Sequence, residues 1–260
     1  MKICTFNVNS IKARKDLLLD WLAHREHDID VLCLQELKQI SENFPEKEFK
    51  QLGYQCEVFG QKTYNGVAIC SKFPLTHISR GFGDENWDRQ SRIISAKIGN
   101  ISVINIYAPH GDLPGTEKFE YKQSWYSKLI EHLSGNYVFT DPLILVGDCN
   151  VARTDIDVYS PEELAGTIGT LPEERNAFEN LLNLGLIDTF RHLYPENKQF
   201  TWWSYLNASI WRDQGMRIDY ILTVENLLAQ LKSVDIDLWP RKRKIPAPSD
   251  HAPLIAEFTL

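Results

Sequence analysis

Short apolar runs alternate with amphipathic helical patterns along the whole chain of 260 residues. The apolar runs are rich in Val, Ile and Leu, as buried strands are, and the helical patterns repeat their apolar residues about every three to four positions. Neither a Gly-, Ser- or Pro-rich linker nor a tandem repeat interrupts the series. This alternation predicts a single α/β domain over residues 1–260, in which strands of both directions share a sheet.

The patterns also predict individual elements. The predicted strands are Lys2–Phe6, Asp30–Leu34, Cys56–Phe59, Gly66–Ser71, Arg92–Ile98, Ile101–Tyr107, Leu143–Val146, Arg217–Leu222, Val234–Leu238 and Leu254–Phe258. The predicted helices are Ile11–Arg25, Phe44–Leu52, Lys118–Leu133 and Glu173–Leu184. Residues 151–170 form the longest irregular stretch, which makes them a candidate binding loop.

Several of the apolar strands end in a polar residue of an uncommon type. These residues are Asn7, Glu36, Tyr107, Asp148 with Asn150, and Asp250 with His251. Each has an ordinary structural explanation when it is taken alone, such as a turn cap, a solvated carboxylate, a half-buried aromatic ring or a core histidine. Functional residues of layered α/β folds gather on the loops at one edge of a sheet, so the whole set is expected to form one cluster.

A cluster of carboxylates repels itself unless a cation neutralises it. Carboxylate and amide oxygens without thiolates are ligands typical of Mg²⁺ or Mn²⁺ rather than of zinc. Asp148 and Asn150 are two residues apart, and in an extended segment their side chains would point the same way. The sequence therefore predicts a Mg²⁺ site, with Mn²⁺ as a possible substitute.

Asp219 lies inside an apolar run, where a carboxylate is costly unless it is paired. A buried Asp that orients a histidine is a well-known arrangement, and His251 is the candidate partner. The alternative is a salt bridge from Asp219 to the nearby Arg217.

The net charge of −7, from 28 Lys and Arg against 35 Asp and Glu, argues against a protein that coats nucleic acid non-specifically. The main basic elements are Arg89, Arg92, Lys118, Lys122 and the run 241–244, although such a run is also typical of a solvated loop. A dense aromatic stretch runs from Phe200 to Trp211. Most of it is expected in the core, but a Trp or Met at a loop tip could wedge into a duplex groove.

The five cysteines, Cys4, Cys33, Cys56, Cys70 and Cys149, are scattered and form no C-x-x-C pair. We interpret them as reduced, mostly buried thiols of a cytoplasmic protein. An uncharged stretch long enough for a membrane span is absent, and no apolar leader precedes the first strand. We therefore expect an unexported protein that does not engage a membrane and acts as a monomer.

An ordered series of motifs resembles the exonuclease III family of apurinic/apyrimidinic (AP) endonucleases. The motifs are TFNVNS, LQELK, GQKTYNGVAI, SRII, NIYAPHG, LVGDCN, GLIDTFRHLYP, FTWW, GMRIDYIL and PSDHAP, and together they cover the whole chain. The resemblance implies an α/β fold with two packed mixed β-sheets flanked by helices. It also implies Mg²⁺-dependent cleavage 5′ to abasic sites in duplex DNA, with 3′→5′ exonuclease and 3′-end-cleaning activity.

The resemblance assigns roles to individual residues. Catalysis would fall to Asp148, which activates or orients water, to Asn150 and Tyr107 beside the phosphate, and to His251 held by Asp219. The implied metal set is Asn7, Glu36, Asp148, Asn150, Asp250 and His251. The implied contacts to duplex DNA with abasic or blocked 3′ ends are Asn9, Lys38, Arg89, Arg92, His110, Trp211, Met216, Arg241 and Lys242.

Cys149, Ala108, His110 and Met216 depart from the family pattern, and two of them concern substrate preference. Met216 stands where the animal enzymes carry Trp and the exonuclease III branch carries Leu, and His110 stands where relatives often carry Asn or Gln. Both bear on the balance between endonuclease and exonuclease activity. The alternatives are a predominantly 3′→5′ exonuclease or 3′-phosphatase, a phosphoesterase of the same fold with a non-DNA substrate, and a non-catalytic DNA-binding protein. The last would lack an acid or the histidine, and none is missing.

Overall fold

The alternating pattern produces two six-stranded β-sheets in a computed structural model, which describes residues 1–25 and 28–259. The strands are β1 (Lys2–Asn7), β2 (Val31–Gln35), β3 (Gln55–Phe59), β4 (Val67–Ser71), β5 (Leu75–Arg80), β6 (Ile93–Ile98), β7 (Ile101–Tyr107), β8 (Leu143–Asp148), β9 (Ile187–Asp188), β10 (Trp202–Trp203), β11 (Gly215–Met216), β12 (Asp219–Thr223), β13 (Leu231–Ile236) and β14 (Leu254–Phe258). The α-helices are α1 (Ile11–His24), α2 (Glu46–Gln51), α3 (Glu85–Asp88), α4 (Glu117–Asn136), α5 (Pro161–Leu164), α6 (Pro172–Leu182), α7 (Thr189–Leu193) and α8 (Glu225–Leu228). Short 3₁₀ turns span Ser41–Asn43, Asp155–Asp157 and Leu206–Arg212.

Both large sheets are mixed. The first has the order β13-β14-β1-β2-β4-β3, and the second has the order β5-β6-β7-β8-β12-β9. Each contains one parallel pair, β1 with β2 and β7 with β8, while the other neighbours are antiparallel. The strands β10 and β11 form a small separate ribbon.

The core lies between the sheets and beneath the helices. Along β2, Val31 and Cys33 belong to the core shared with the second sheet, whereas Leu32 and Leu34 pack towards α1. This alternation follows from the two-residue period of a strand. On the outer face of the second sheet, Phe178 of α6 packs against Tyr220 of β12 with ring centroids 4.6 Å apart. The predicted fold class of two packed mixed sheets flanked by helices is therefore confirmed.

The predicted elements differ from the structure mainly in short or exposed elements, since the strands β5, β9, β10 and β11 and the helices α3, α5, α7 and α8 were not predicted. Strand β5 was not predicted, because it is an edge strand whose residues are mostly exposed, so it lacks an apolar run. The predicted helix Ile11–Arg25 ends at His24, and Phe44–Leu52 begins at Glu46. The hairpin between β6 and β7 turns at Gly99 and Asn100, with Gly99 at φ +59°.

The prediction of five reduced cysteines is wrong for two of them. Cys56 and Cys70 are direct partners in the β3–β4 pair, and a disulfide joins them. The sequence separation of 14 residues gave no sign of this register. Cys4, Cys33 and Cys149 are free and buried. Within the described residues, no helix has the length and apolar character that crossing a bilayer requires.

Candidate active site

The ends of several strands meet at one edge of the two sheets. Asn7 pairs with Gln35 at the end of the parallel pair β1–β2, and Glu36 follows directly. In the second sheet Tyr107 and Asp148 are partners at the end of the parallel pair β7–β8, and Asp148 also pairs with Asp219 of β12. Since parallel strands end at the same edge, this register gathers the acids from both sheets into one place.

Asn7 holds the two carboxylates of Glu36 and Asp148. Its Nδ2 donates to Glu36 Oε1 at 2.9 Å and to Asp148 Oδ2 at 2.8 Å, while its Oδ1 accepts from the backbone N–H of Asn9 at 3.0 Å. Asn7 thus presents hydrogens to the cluster and has its oxygen engaged elsewhere. In this arrangement the side chain positions two candidate ligands, and the implied role of Asn7 as a direct metal ligand stays a prediction.

Asp219 and His251 form a buried pair behind Asp148. His251 Nδ1 lies 2.9 Å from Asp219 Oδ2, and His251 Nε2 lies 3.8 Å from Asp148 Oδ2. Since a carboxylate can only accept, Nδ1 is the donor and Nε2 faces the site. The alternative partner, Arg217, contacts Asp157 and Asp188 at 2.8 Å each, so it takes no part in this pair.

Asp250 occupies the side of the cluster next to Trp202. Its Oδ1 accepts from Asn9 Nδ2 at 2.8 Å, and its Oδ2 accepts from Trp202 Nε1 at 3.0 Å. Asn9 Oδ1 in turn accepts from Lys38 Nζ, which also contacts Glu36 Oε2 at 2.8 Å. Asn9 and Trp202 thus orient the carboxylate of Asp250, and its implied role as a direct ligand stays a prediction.

Asn150 does not lie in an extended segment with Asp148, so that prediction is wrong. Its backbone is left-handed with φ +52°, and its N–H donates to Asp148 Oδ1 at 2.9 Å. The tight turn follows because Asp148 caps the backbone two residues on, as Asp does in Asx turns. Asn150 Nδ2 donates to the carbonyl oxygen of Ala108 at 2.9 Å, and the side chain still lines the same cavity as Asp148.

Burial and the neighbouring charges shift the pKa values of the titratable side chains at the site. Desolvation raises the pKa of Asp148 to about 7, with the Asp219 charge adding to the effect and the His251 charge opposing it. Burial lowers the pKa of His251, but the charges of Asp219 and Asp148 outweigh it and raise that pKa to about 10. Burial also raises the pKa of Glu36, yet hydrogen bonds from Lys38 and Asn7 hold it below its ordinary value.

Tyr107 completes the group as a neutral phenol. Burial raises its pKa well above the ordinary value, and the charges of Glu36 and Asp148 act in the same direction. Arg92 stacks on the ring with its Cζ 4.8 Å from the centroid, and it donates to the carbonyl oxygen of Tyr107.

A candidate metal centre follows from these contacts. Among the described residues, Glu36, Asp148 and His251 each offer a ligand atom within 4.8 Å of the others. The two carboxylates are hard oxygen donors of the kind that Mg²⁺ and Mn²⁺ prefer. Since Nδ1 of His251 faces Asp219, the single free nitrogen of this ring can either bind a metal or donate a proton.

The cluster forms the floor of a cavity of about 180 Å³. Its lining contains the acids with Tyr107, His110 and Asn150, together with the less polar residues Ile168, Gly169, Trp202, Met216 and Ile218. The candidate loop 151–170 thus contributes Ile168 and Gly169. A second, polar cavity adjoins the first and shares Glu36, Tyr107 and His110 with it, while Lys38 and Arg92 line its other parts.

The residues implied in DNA binding fall into three groups. Arg89, His110, Trp211 and Lys242 are exposed, and Trp211 has 61% of its surface free in the Leu206–Arg212 turn. Asn9, Lys38 and Met216 lie at the site itself. Arg92 and Arg241 are buried.

Two of the predicted basic elements are not surface cations. Arg241 is 5% exposed, and its guanidinium donates to the backbone oxygens of Asp250 and Trp203. Arg241 thus stabilises the loop that carries Asp250, and its implied DNA contact stays a prediction. Lys122 is fully buried against Glu174.

Sequence reasoning missed several residues that support the site. Ser249 Oγ donates to the carbonyl oxygen of Asn7 at 2.7 Å and accepts from the N–H of His251. Thr201 Oγ1 accepts from the backbone N–H groups of Ile218 and Asp219. Ser249 stands inside the motif PSDHAP, and Thr201 stands inside FTWW. The motifs therefore pointed to both residues, but residue spacing does not predict their hydrogen-bond partners.

Comparison with known proteins settles the family. The model of the endonuclease/exonuclease/phosphatase family matches residues 4–251. The chain belongs to this family. Exodeoxyribonuclease III of Haemophilus influenzae is 36% identical over 99% of this chain and 100% of that protein. The predicted resemblance is confirmed, and the protein is an enzyme of the nuclease and phosphodiesterase class.

Solved structures of the endonuclease/exonuclease/phosphatase family match over the full length as well. An AP endonuclease from Archaeoglobus fulgidus is 37% identical with a TM-score of 0.95, and each chain covers 100% of the other. The 3′ phosphatase NExo from Neisseria, solved as a variant bound to a product DNA hairpin, is 39% identical with a TM-score of 0.94 and the same coverage. Relatives of similar identity thus differ in the activity that they are named for.

Proposed function

We propose that this protein is a Mg²⁺-dependent DNA-repair phosphodiesterase that cleaves duplex DNA 5′ to abasic sites and also removes nucleotides and blocking groups from 3′ ends. The observation that carries the proposal is the cavity of about 180 Å³, which is lined by a cluster of acids together with apolar residues. The acids suit a phosphate with a cation, and the apolar residues Met216, Ile168 and Ile218 suit a sugar without a base. Similarity to an AP endonuclease over the whole chain supports the same substrate.

Glu36 and Asp148 would hold the metal, and their placement by Asn7 keeps both carboxylates directed to one point. When bound, the ion would neutralise charge on the phosphate oxygens, which phosphodiester hydrolysis requires. His251 Nε2 could either bind a metal or donate a proton, and we assign it the role of proton donor. Its raised pKa of about 10 keeps Nε2–H present at neutral pH.

The remaining residues then have separate tasks. Asp148 is the proposed acceptor of the proton from the attacking water: burial raises its pKa to about 7 without a cation, and a cation held by its carboxylate would lower that pKa and keep the base ionised at neutral pH. Tyr107 stays a neutral phenol and can donate to a phosphate oxygen. Asn150, fixed by Ala108, orients the water or an oxygen of the phosphate. Asp219 keeps the imidazole of His251 in the tautomer that directs Nε2–H into the cavity.

Duplex DNA would be held by the exposed rim of the cavity. Arg89, His110, Trp211 and Lys242 are accessible there or on nearby surface loops, and Lys38 with Arg92 lines the adjoining polar cavity. Phosphate contacts of this kind position a duplex without reading its sequence. We propose that the protein acts as a monomer, since no residue of the site needs a second copy.

A second candidate is a predominantly 3′-directed enzyme. The full-length similarity to the 3′ phosphatase NExo favours it. A side-by-side assay on an abasic duplex, a 3′-phosphate duplex and a 3′-recessed duplex, each with Mg²⁺ and Mn²⁺, separates the two. We expect the highest kcat/KM on the abasic duplex. Turnover confined to the 3′ ends would assign the second candidate, and turnover of none of the three would refute both.

A further inference from the structure

Lys122 of α4 and Glu174 of α6 form an ion pair that is shut off from solvent. Lys122 Nζ lies 2.6 Å from Glu174 Oε1, and both side chains are 0% exposed. Removing two charges from water is unfavourable, and hydrophobic residues can often replace such a pair without loss of stability. Stabilisation of the fold alone therefore does not explain why these two charges are buried.

The hydrogen bonds of the pair reach three separate loops. Besides Glu174, Lys122 Nζ donates to the backbone oxygens of His110 at 3.1 Å and of Asn150 at 2.7 Å, which uses all three of its hydrogens. Glu174 Oε2 accepts from the N–H groups of Gly169 at 2.6 Å and of Leu171 at 3.2 Å.

These three loops are the walls of the catalytic cavity. His110, Asn150 and Gly169 all line it, whereas neither Lys122 nor Glu174 does. The pair thus hydrogen-bonds to backbone groups of these loops, while its own side chains stay outside the lining of the cavity. It ties the Asn150 turn to the neighbouring Gly169 segment.

The packing around the pair leaves the loops little freedom. Gly111 has φ +81°, and a Cβ atom there would lie 2.7 Å from Lys122 Cδ. A Cβ atom on Gly169 would lie 3.0 Å from Met216 Cε and 3.5 Å from the carbonyl oxygen of Asn150. A small shift of the ion pair would therefore move several lining residues together.

We propose that the Lys122–Glu174 pair positions the catalytic cavity by holding the Asn150 turn and the Gly169 segment in place, and so sets the rate of the chemical step. This inference rests on the function proposed above. Both residues act through others and touch no reacting atom. Displacing a reacting group by about 1 Å can lower a rate by about 10²-fold, which sets the expected size of the effect.

The test replaces both charges at once with Lys122→Met and Glu174→Leu, so that no unpaired charge stays buried. The matched control is Arg25→Met with Asp237→Leu, which removes an ion pair of 3.0 Å whose residues line neither cavity. Thermal melting checks that both variants are folded. Single-turnover cleavage at saturating protein is measured on the duplex that the wild type cleaves fastest, together with the Kd for that duplex.

We expect the Lys122/Glu174 double variant to lose about 10²-fold in the single-turnover rate constant with a nearly unchanged Kd, and the control to keep both. A folded double variant that cleaves no more slowly than the control overturns the proposal. If the double variant does not fold, Glu174→Gln takes its place, since it keeps the shape and one acceptor oxygen. An unchanged rate constant in that variant is equally decisive.

Amide hydrogen exchange gives a readout that does not depend on activity. We expect faster exchange at Gly169 and Leu171 in the double variant than in the control, because their acceptor is removed. Unchanged exchange at both amides contradicts the proposal. A wild-type protein that cleaves no duplex refutes the proposed function instead, and the exchange result then decides this inference separately.

Discussion

His251 Nδ1 lies 2.9 Å from Asp219 Oδ2, and the two side chains are 4% and 1% exposed. The imidazole therefore has one nitrogen committed to a carboxylate and one directed towards Asp148. Because the charge of Asp219 is the largest of the effects that raise the pKa of His251, the proton on Nε2 persists to high pH. This single contact fixes both the tautomer and the pH range in which His251 can donate.

The pH dependence of the reaction follows from the two shifted groups. The rate needs Asp148 ionised and His251 protonated, so kcat/KM should rise as Asp148 loses its proton and fall as His251 loses its own. A cation held by Asp148 favours the ionised carboxylate, so the acid limb should lie below the pKa of about 7 that burial gives Asp148 without a cation, and the alkaline limb no higher than about pH 10. In Asp219→Asn the carboxylate charge is gone, the pKa of His251 falls, and the alkaline limb should move to lower pH. A profile of kcat/KM from below the acid limb to above the alkaline limb checks this. An unmoved alkaline limb would show that Asp219 does not set the protonation of His251.

Replacing Asp148 with Asn removes the proposed base and keeps the volume of the side chain. We expect kcat to fall by about 10²- to 10⁴-fold, the usual contribution of general base catalysis, while the Kd for duplex DNA stays close to the wild-type value. Asp141→Asn, at an exposed position, serves as the control. Near wild-type turnover in Asp148→Asn would mean that another group takes the proton.

Gly169 and Gly166 offer a matched pair of substitutions in one loop. Both have positive φ, +87° and +73°, so a side chain strains the backbone at either position. Only Gly169 faces the cavity, where a Cβ atom would press on Met216, while Gly166 has nothing within 4 Å. We expect Gly169→Leu to lower cleavage of an abasic duplex by about 10²-fold and Gly166→Leu to leave it nearly unchanged. Equal losses in the two variants would point to backbone strain instead of a filled cavity.

The run 241–244 now divides into one structural residue and three exposed cations. Arg241 stabilises the Asp250 loop, whereas Lys242, Arg243 and Lys244 face solvent. Replacing these three with Ala should reduce the slope of log Kd against log salt by about 0.9 for each phosphate that they neutralise in the wild type. Lys97, Lys198 and Lys232, changed together to Ala, give the same change in charge elsewhere on the surface. Equal slopes in the two triple variants would make the run an ordinary solvated loop.

The sequence predicted those parts of the molecule that repeat a pattern. Apolar runs located most strands, including β1, β7 and β14, because burial on both faces imposes a continuous apolar stretch. The exposed edge strand β5 has no such requirement and was missed. The disulfide between Cys56 and Cys70 depends on the register of two strands, which residue spacing alone does not contain.

The sequence predicted which residues belong to the candidate site better than it predicted the contacts between them. Motif positions identified Asp148, His251 and Asp219, and the structure brings them together, although their catalytic roles stay predictions. Which atom of Asn7 faces the acids, and that Arg241 and Lys122 are buried, depend on the three-dimensional packing of distant segments. The presence of a charged residue in a sequence does not show whether its side chain is exposed. A Lys or Arg that is buried against a partner is written with the same letter as one that faces solvent.

Incision of a duplex that carries one abasic-site analogue tests the central claim most directly. With Mg²⁺ present, the strand should be cut once, on the 5′ side of the site, and the product should carry a 3′-hydroxyl. With EDTA, cleavage should fall to background and return when Mg²⁺ is restored in excess, since Glu36 and Asp148 are proposed to act through the ion. Cleavage that persists without a divalent cation, or an abasic strand left intact while Mg²⁺ is present, would contradict the account.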